Sequence, residues 1–332
     1  MRRIPRRRIT VFLAPVGLLA ALLAALLAGT SCTLDLSYDK YAIVFGVGDY
    51  SDPAVSDLTW TLIDARDMAA LLAAQGYEVL GWDAGGLATG ETLDSYATEA
   101  NFRSILEAVA AQASKDGLFL FYFSGHGGQT SGNRSEGHAA ADTDEEFIAF
   151  HAAPYPPDAA AADIVTDDEL ADALSILPCL KKIVIIDACN SGGLIGDSAD
   201  VDGVPPDYSG TIYLALGKLG SALSAYFSPR ADGGDINPGD ALVVAGAGER
   251  EPAQEDLSNG YWGFEHGFFT YFLLQVPARG DGNADGFVTV TEAYDYVREQ
   301  LDSNWNANVS ASMRFAPHVA GGPIDYVLFA AP

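Results

Sequence analysis

Two short segments carry residue types able to break an acyl bond. Ser124-Gly125-His126-Gly127-Gly128 sets an imidazole among small residues, and Asp187-Ala188-Cys189-Asn190-Ser191-Gly192-Gly193 does the same for a thiol. A thiolate is a strong nucleophile, and an imidazole beside it supplies proton transfer and local positive charge. Glycines next to each let the backbone turn sharply and approach a ligand closely. Alone, either segment is ordinary, because a histidine in a glycine turn or a cysteine after an apolar stretch is commonly structural. Together they define a candidate Cys189–His126 pair. The other cysteines are Cys32 and Cys179. The ten residues from Cys179 to Cys189 include a predicted strand and span about 30 Å when extended, far beyond the roughly 5 to 6 Å between Cα atoms that a disulfide needs. Cys189 is therefore expected to be a free thiol.

The elements that must position this pair read as strands alternating with helices. Tyr41 to Val47, Tyr77 to Leu80, Leu118 to Phe123, Ile183 to Asp187 and Ala241 to Ala245 are apolar runs bounded by turn residues, hence strand candidates. Between them lie helical patterns at 64 to 75 and at Phe102, Ile105, Leu106, Val109 and Ala110. Thr166-Asp167-Asp168-Glu169 is a capping box opening a helix with Leu170, Leu174 and Leu177 on its apolar face. Further helices are expected at 268 to 274 and 292 to 301. This alternation predicts an α/β fold with a mostly parallel sheet flanked by helices. Ligands of such sheets bind beyond the carboxyl ends of the strands, where both motifs fall. Residues 127–163 and 194–240 are rich in Gly, Ala, Asp, Ser and Pro and read as long loops, each following one member of the pair.

In this order and at this separation the two motifs resemble those of the caspase-like cysteine peptidases, metacaspases and their bacterial relatives in particular. The resemblance runs from Tyr41 to about Val297. It implies a three-layer caspase-like fold and hydrolysis of peptide bonds by Cys189, with His126 protonating the leaving amine. It also implies an oxyanion hole made by the backbone N–H groups of Gly127 and Cys189. Asp187, two residues before the thiol, and Asp64, in Leu62-Ile63-Asp64-Ala65, match acids of the metacaspase specificity pocket, which suits Arg or Lys in a peptide or protein substrate. Caspases read Asp with arginine, and residues 51 to 63 contain no arginine. As plain sequence features, Asp64 is also explained as a helix N-terminal acid and Asp187 as a strand-end turn acid. Two departures stand out. Asn190 occupies the place where metacaspases usually carry His, and His151 the place of an aspartate in their calcium-activation site, although Asp167 and Asp168 match the paired acids there.

The chain has 332 residues, 49% of them hydrophobic, ample for a buried core, and a formal charge of −27. Arg2, Arg3, Arg6, Arg7 and Arg8 precede an uncharged apolar run from Ile9 to Gly29, the pattern of an export segment over residues 1–31. Ala28-Gly29-Thr30-Ser31-Cys32 resembles a bacterial lipoprotein signal, with Cys32 as the lipidated residue and Gly29 where Leu is usual. An uncleaved membrane anchor and simple secretion are the other readings. Residues 32–39 are then a short tether and 40–332 the peptidase domain. Without residues 1–31 the charge becomes −32, which repels phosphate backbones and excludes nucleic acid as a partner. Lys218 and Arg230, the basic residues of the 194–240 loop, are candidate autoprocessing positions. Asp281, Asn283, Asp285, Phe287, Thr289 and Glu292, with Gly286 at the turn, match the EF-hand loop pattern for Ca²⁺, although Val276-Pro277-Ala278-Arg279-Gly280 cannot continue a regular incoming helix. The competing reading is an Asp/Asn/Gly turn without metal. For the whole chain, the alternatives to an endopeptidase are a surface-displayed scaffold or binding module, and a transpeptidase or ligase using the same dyad.

Overall fold

The computed structural model describes residues 39–82, 92–131, 144–154, 162–189, 241–248, 251, 253–256, 260, 262–320 and 325–332. β1 (Lys40–Gly46) leads through α1 (Thr61–Ala74) to β2 (Glu78–Leu80). Next, α2 (Leu93–Tyr96) and α3 (Glu99–Ala110) precede β3 (Leu118–Ser124). β4 (Gly127–Ser131), β5 (Asp144–Ala149) and β6 (Ile164–Thr166) follow, and α4 (Asp167–Ser175) leads into β7 (Lys181–Asp187). The carboxy-terminal part holds β8 (Leu242–Ala245), α5 (Phe268–Leu273), α6 (Val276–Arg279), β9 (Phe287–Thr289), α7 (Val290–Asn304), β10 (His318–Ala320) and β11 (Val327–Ala330).

Six strands form the central sheet in the order β10-β8-β7-β3-β1-β2, all parallel except β10. Both faces are covered, which is why its strands read as unbroken apolar runs rather than alternating ones. Successive side chains go to opposite cores. Ile43, Phe45, Phe119, Phe121, Phe123, Val184 and Ile186 pack with Phe102, Leu106, Leu170 and Leu174 on one face. Ala42, Val44, Leu120, Tyr122, Ile183 and Ile185 pack with Met68, Leu72, Phe268, Phe272 and Val297 on the other. The fold is thus the α/β, mostly parallel, helix-flanked architecture expected. The helix expected from Asp64 begins three residues earlier, at Thr61, and the Thr166–Glu169 capping box forms as predicted.

One expectation is corrected. Residues 127–163, read as a long loop, contain β4 and β5, which pair antiparallel with each other and, through β5, with β6. Gly127-Gly128-Gln129-Thr130-Ser131 has neither alternation nor β-branched apolar residues, so its strand character comes from its partner and not from local propensity.

Register fixes the site. Gly46 pairs with Ser124, and Ser124 with Asp187, so β1, β3 and β7 end in one row. The chain after each end emerges at the same edge, and His126 and Cys189 each lie two residues past that row. Gly46 is small for a packing reason: a Cβ there would collide with the Thr61 carbonyl oxygen and sit 2.8 Å from the Ala65 Cβ. Gly46→Ala should therefore push α1 off the sheet and lower stability by about 1 to 3 kcal/mol in denaturant unfolding. Gly282→Ala, whose Cβ would have nothing nearer than 3.9 Å, should change it by less than about 0.5 kcal/mol. Equal losses would show that the β1–α1 approach is not limiting.

Candidate active site

The edge where β1, β3 and β7 end opens into a cleft lined by Asp64, His126, Asp187 and Cys189, together with Leu58, Thr61, Ser124, Ala253, Glu255 and Gly267. All four side chains singled out in the sequence for the dyad and the pocket therefore face one space.

The His126 ring is oriented by main chain. Its Nε2 lies 2.7 Å from the Ser56 carbonyl oxygen. A carbonyl only accepts, so this nitrogen carries the hydrogen and Nδ1 is left for proton exchange. Tyr50 also touches the residue, its phenol accepting the His126 backbone N–H at 2.8 Å and its ring lying 4.9 Å from the imidazole. Ser56 and Tyr50 escaped the sequence reading, the first because a backbone carbonyl leaves no residue signature.

Cys189 is a half-buried free thiol just beyond β7, and Cys179 is a buried one before it. The Cys189 Sγ–H points to the Ala253 carbonyl at 3.8 Å. Burial pushes this thiol up from its ordinary pKa; the Ala253 contact partly offsets that, and the Asp187 charge adds to it. Gly127 and Cys189 are in direct contact, since a Cβ on Gly127 would collide with the Cys189 carbonyl oxygen. Ala149 N–H donates to the His126 carbonyl at 2.9 Å. Gly127 and Ile148 are consequently a non-hydrogen-bonded pair of the β4–β5 ladder, with the Gly127 N–H directed away from β5.

The two acids are both buried, Asp64 at 1% and Asp187 at 6% exposure. Asp64 does not cap its own helix. Its Oδ1 accepts Gly267 N–H at 3.1 Å and lies 2.8 Å from His266 Nδ1; its Oδ2 accepts the Ser124 hydroxyl at 3.0 Å and shares the Gly267 N–H at 3.2 Å. Asp187 Oδ2 accepts the hydroxyl and backbone N–H of Thr270 at 2.7 and 3.2 Å, while Oδ1 makes no hydrogen bond among the described residues. Gly267 lies between them. A Cβ there would stand 2.5 Å from Asp187 Oδ2 and 3.0 Å from Asp64 Oδ2. Its φ of −59° is available to any residue, so space and not conformation demands glycine. Burial raises both carboxyls, His266 opposing this for Asp64; Asp187, further raised by Asp64, reaches about 7. His266, Gly267 and Thr270 were unread in the sequence because they arrive from a segment about 80 residues beyond β7. Glu255, also unread, accepts the N–H groups of Thr59 and Trp60 at 3.0 Å and pins one cleft wall to the other.

Several predicted positions do not join the cleft. His151 Nδ1 lies 2.6 Å from the Asp49 carbonyl oxygen. Asp167 is buried at the start of α4. In the EF-hand-like stretch, Asp281 accepts the N–H groups of Asp285 and Gly286, Asn283 that of Asp285, and Asp285 that of Phe287. Glu292 Oε2 accepts the Thr289 backbone N–H and hydroxyl, as part of a capping box for α7. Phe287 and Thr289 belong to β9, which pairs with β11. The segment before the loop, expected to break a helix, makes one turn, α6, with proline in its first turn. Among the described residues no three His, Cys, Asp or Glu side chains gather closely enough to hold a metal. Cys32, Asn190, Lys218 and Arg230 lie outside the described residues.

No curated protein matches the chain. A crystal structure of a protein from Geobacter sulfurreducens is similar in fold, with 19% identity and a TM-score of 0.53 over 88% of this chain and 99% of that one. Caspase-1 of Spodoptera frugiperda, at 15% identity, gives a TM-score of 0.47 over 86% of each chain. A family model described as the caspase domain matches residues 39–313. With that match over most of its length, the chain belongs to the caspase-domain family of cysteine peptidases.

Proposed function

We propose that this chain is a metacaspase-like cysteine endopeptidase that cleaves after Arg or Lys. The observation that carries the reading is the cleft itself, in which a thiol, an imidazole with one nitrogen free and two buried carboxylates share one space. Cys189 attacks the scissile carbonyl as its thiol proton passes to His126 Nδ1. The N–H groups of Gly127 and Cys189 hold the oxyanion, each such donor being worth about 3 kcal/mol. His126 then returns the proton to the leaving amine, and water releases the acyl group from sulfur. The export pattern of residues 1–31 and the lipidation pattern at Cys32 add a cell-envelope location to this proposal.

Asp187 Oδ1 is the open acceptor for a substrate cation. Asp64, with both oxygens already bonded, contributes charge from behind it. A guanidinium or ammonium fits because it supplies the counter-charge that two adjacent buried acids lack.

Cys189→Ala should abolish hydrolysis of reporter peptides by the full chain, whereas Cys179→Ala, buried and away from the cleft, should leave turnover within about threefold at some cost in stability. Equal losses in folded protein would defeat the assignment of Cys189.

For reporters ending in Arg or Lys, kcat/KM should rise with pH to a plateau above about 7, because below that the pocket holds a proton that the substrate must displace. The stability of the free protein runs the other way. A carboxyl raised in the folded state stabilises at low pH and loses that contribution as pH climbs through its folded value. Asp187→Asn should cost about 3 kcal/mol in transition-state binding of Arg reporters. Preference for Asp or apolar reporters would refute this pocket.

We further propose that the 281–292 loop binds one Ca²⁺ that steadies α7. Its donors are all oxygens, the hard-ligand set calcium takes, and Gly286 has the positive φ (+89°) of the sharp turn. Binding requires the Glu292 carboxylate to swing from Thr289 toward Asp281. Titration calorimetry should detect uptake that disappears in Asp281→Ala/Glu292→Ala, and chelation should lower the melting temperature more than turnover. Absence of uptake leaves a bare Asx turn.

A further inference from the structure

His126 stands at the corner where the chain leaves the parallel sheet at Ser124 and enters the antiparallel one at Gly127. Backbone groups at such a corner lack ladder partners, and a buried N–H without a partner is destabilising. Ala149 N–H takes the His126 carbonyl at 2.9 Å. The His126 N–H goes instead to a side chain, the Tyr50 phenol at 2.8 Å, and that phenol donates its own hydrogen to the Ala149 carbonyl at 3.3 Å. One hydroxyl thus ties the corner to β5.

Tyr50 does more than fill space. It is 4% exposed, and its ring lies against the imidazole at 4.9 Å with a 40° tilt. Burial keeps the phenol protonated, so its hydrogen remains available to Ala149. Gly125 makes the approach possible, because a Cβ there would stand 3.0 Å from the phenol oxygen and 2.8 Å from the Phe123 ring. The loop that carries Tyr50 also carries Ser56, whose carbonyl meets Nε2. One loop therefore holds His126 by its main-chain nitrogen, its ring face and its ring nitrogen.

We propose that Tyr50 is the positioning residue of the dyad, its hydroxyl fixing the His126 main chain and its ring fixing the imidazole plane so that Nε2 meets Ser56 and Nδ1 is left for Cys189. This rests on the reading of His126 as the proton-transfer group. Tyr50→Phe removes only the hydroxyl, and Tyr50→Leu also removes the ring.

Both variants are tested as full chains, with turnover of reporters ending in Arg, Lys or Asp expressed per folded molecule by circular dichroism. Tyr50→Phe should lower kcat about tenfold with KM within about twofold, since small misplacements of a catalytic group act on the chemical step. Tyr50→Leu should lose more. In protein labelled at histidine, the His126 imidazole resonance, identified by its disappearance in His126→Ala, should shift in Tyr50→Phe. Unchanged kcat per folded molecule, a loss confined to KM, or an unmoved resonance overturns the proposal and leaves Tyr50 as core packing. Full turnover in His126→Ala, or none by the unmodified chain with any reporter, defeats the dyad itself, a result distinct from failure of the Tyr50 variants.

Discussion

Two carboxylates buried side by side at the end of a parallel sheet are the most demanding feature of this molecule, and much of the neighbouring structure answers to them. Asp64 and Asp187 each come within 3.0 Å of one point above Gly267, where like charges in a low dielectric repel strongly. Hydrogen bonds from Ser124, His266, Gly267 and Thr270 compensate part of that cost. Thr270 is itself braced, its hydroxyl 2.6 Å from the Tyr122 phenol. Residues from β3, from the turn before α5 and from α5 itself are thereby drawn to one spot. Burial nevertheless leaves both carboxyls raised.

The row formed by Gly46, Ser124 and Asp187 connects that pocket to the chemistry. Because three neighbouring strands stop together, the histidine after β3 and the cysteine after β7 emerge at equal height, with the loop after β1 beside them. That loop is held down through Val47 N–H to Ser124, Leu58 N–H to Gly48 and Ser51 N–H to His151, and it supplies the contacts on His126. The glycines at 46, 125, 127 and 267 all serve close approach between segments, and none of them needs a positive φ.

The inner strands of the central sheet, β8, β7, β3 and β1, were legible in the sequence because they are buried on both faces, which writes them as unbroken apolar runs, whereas the short edge strand β10 was not read. Leu118 to Phe123 and Ile183 to Asp187 could hardly be read otherwise. The cleft was half legible. His126, Cys189, Asp64 and Asp187 announce themselves by type and spacing, whereas Ser56 acts through its carbonyl and Tyr50 resembles any core aromatic. His266, Gly267 and Thr270 depend on contacts spanning 83 to 203 positions, which no local pattern encodes. The β4–β5 pair was misread for a related reason: Gly127 to Ser131 is a strand only because Phe147 and its neighbours run alongside.

Asp187 joins the two halves of the cleft. Its charge helps push the Cys189 thiol up from its ordinary pKa, and the same carboxylate lines the cleft with one oxygen that accepts no hydrogen bond among the described residues. Where the acid pair is fully ionised, a cation placed against Asp187 would offset the charge felt by sulfur; where the pair holds a proton, the cation would displace that proton and leave the net charge unchanged. Above the pH at which the pair loses its proton, a basic side chain would fill the pocket and ease ionisation of the nucleophile in one event, whereas an apolar side chain would leave the charge uncompensated. Specificity and reactivity are tied together on this view because a single carboxylate, two residues before the sulfur, faces both.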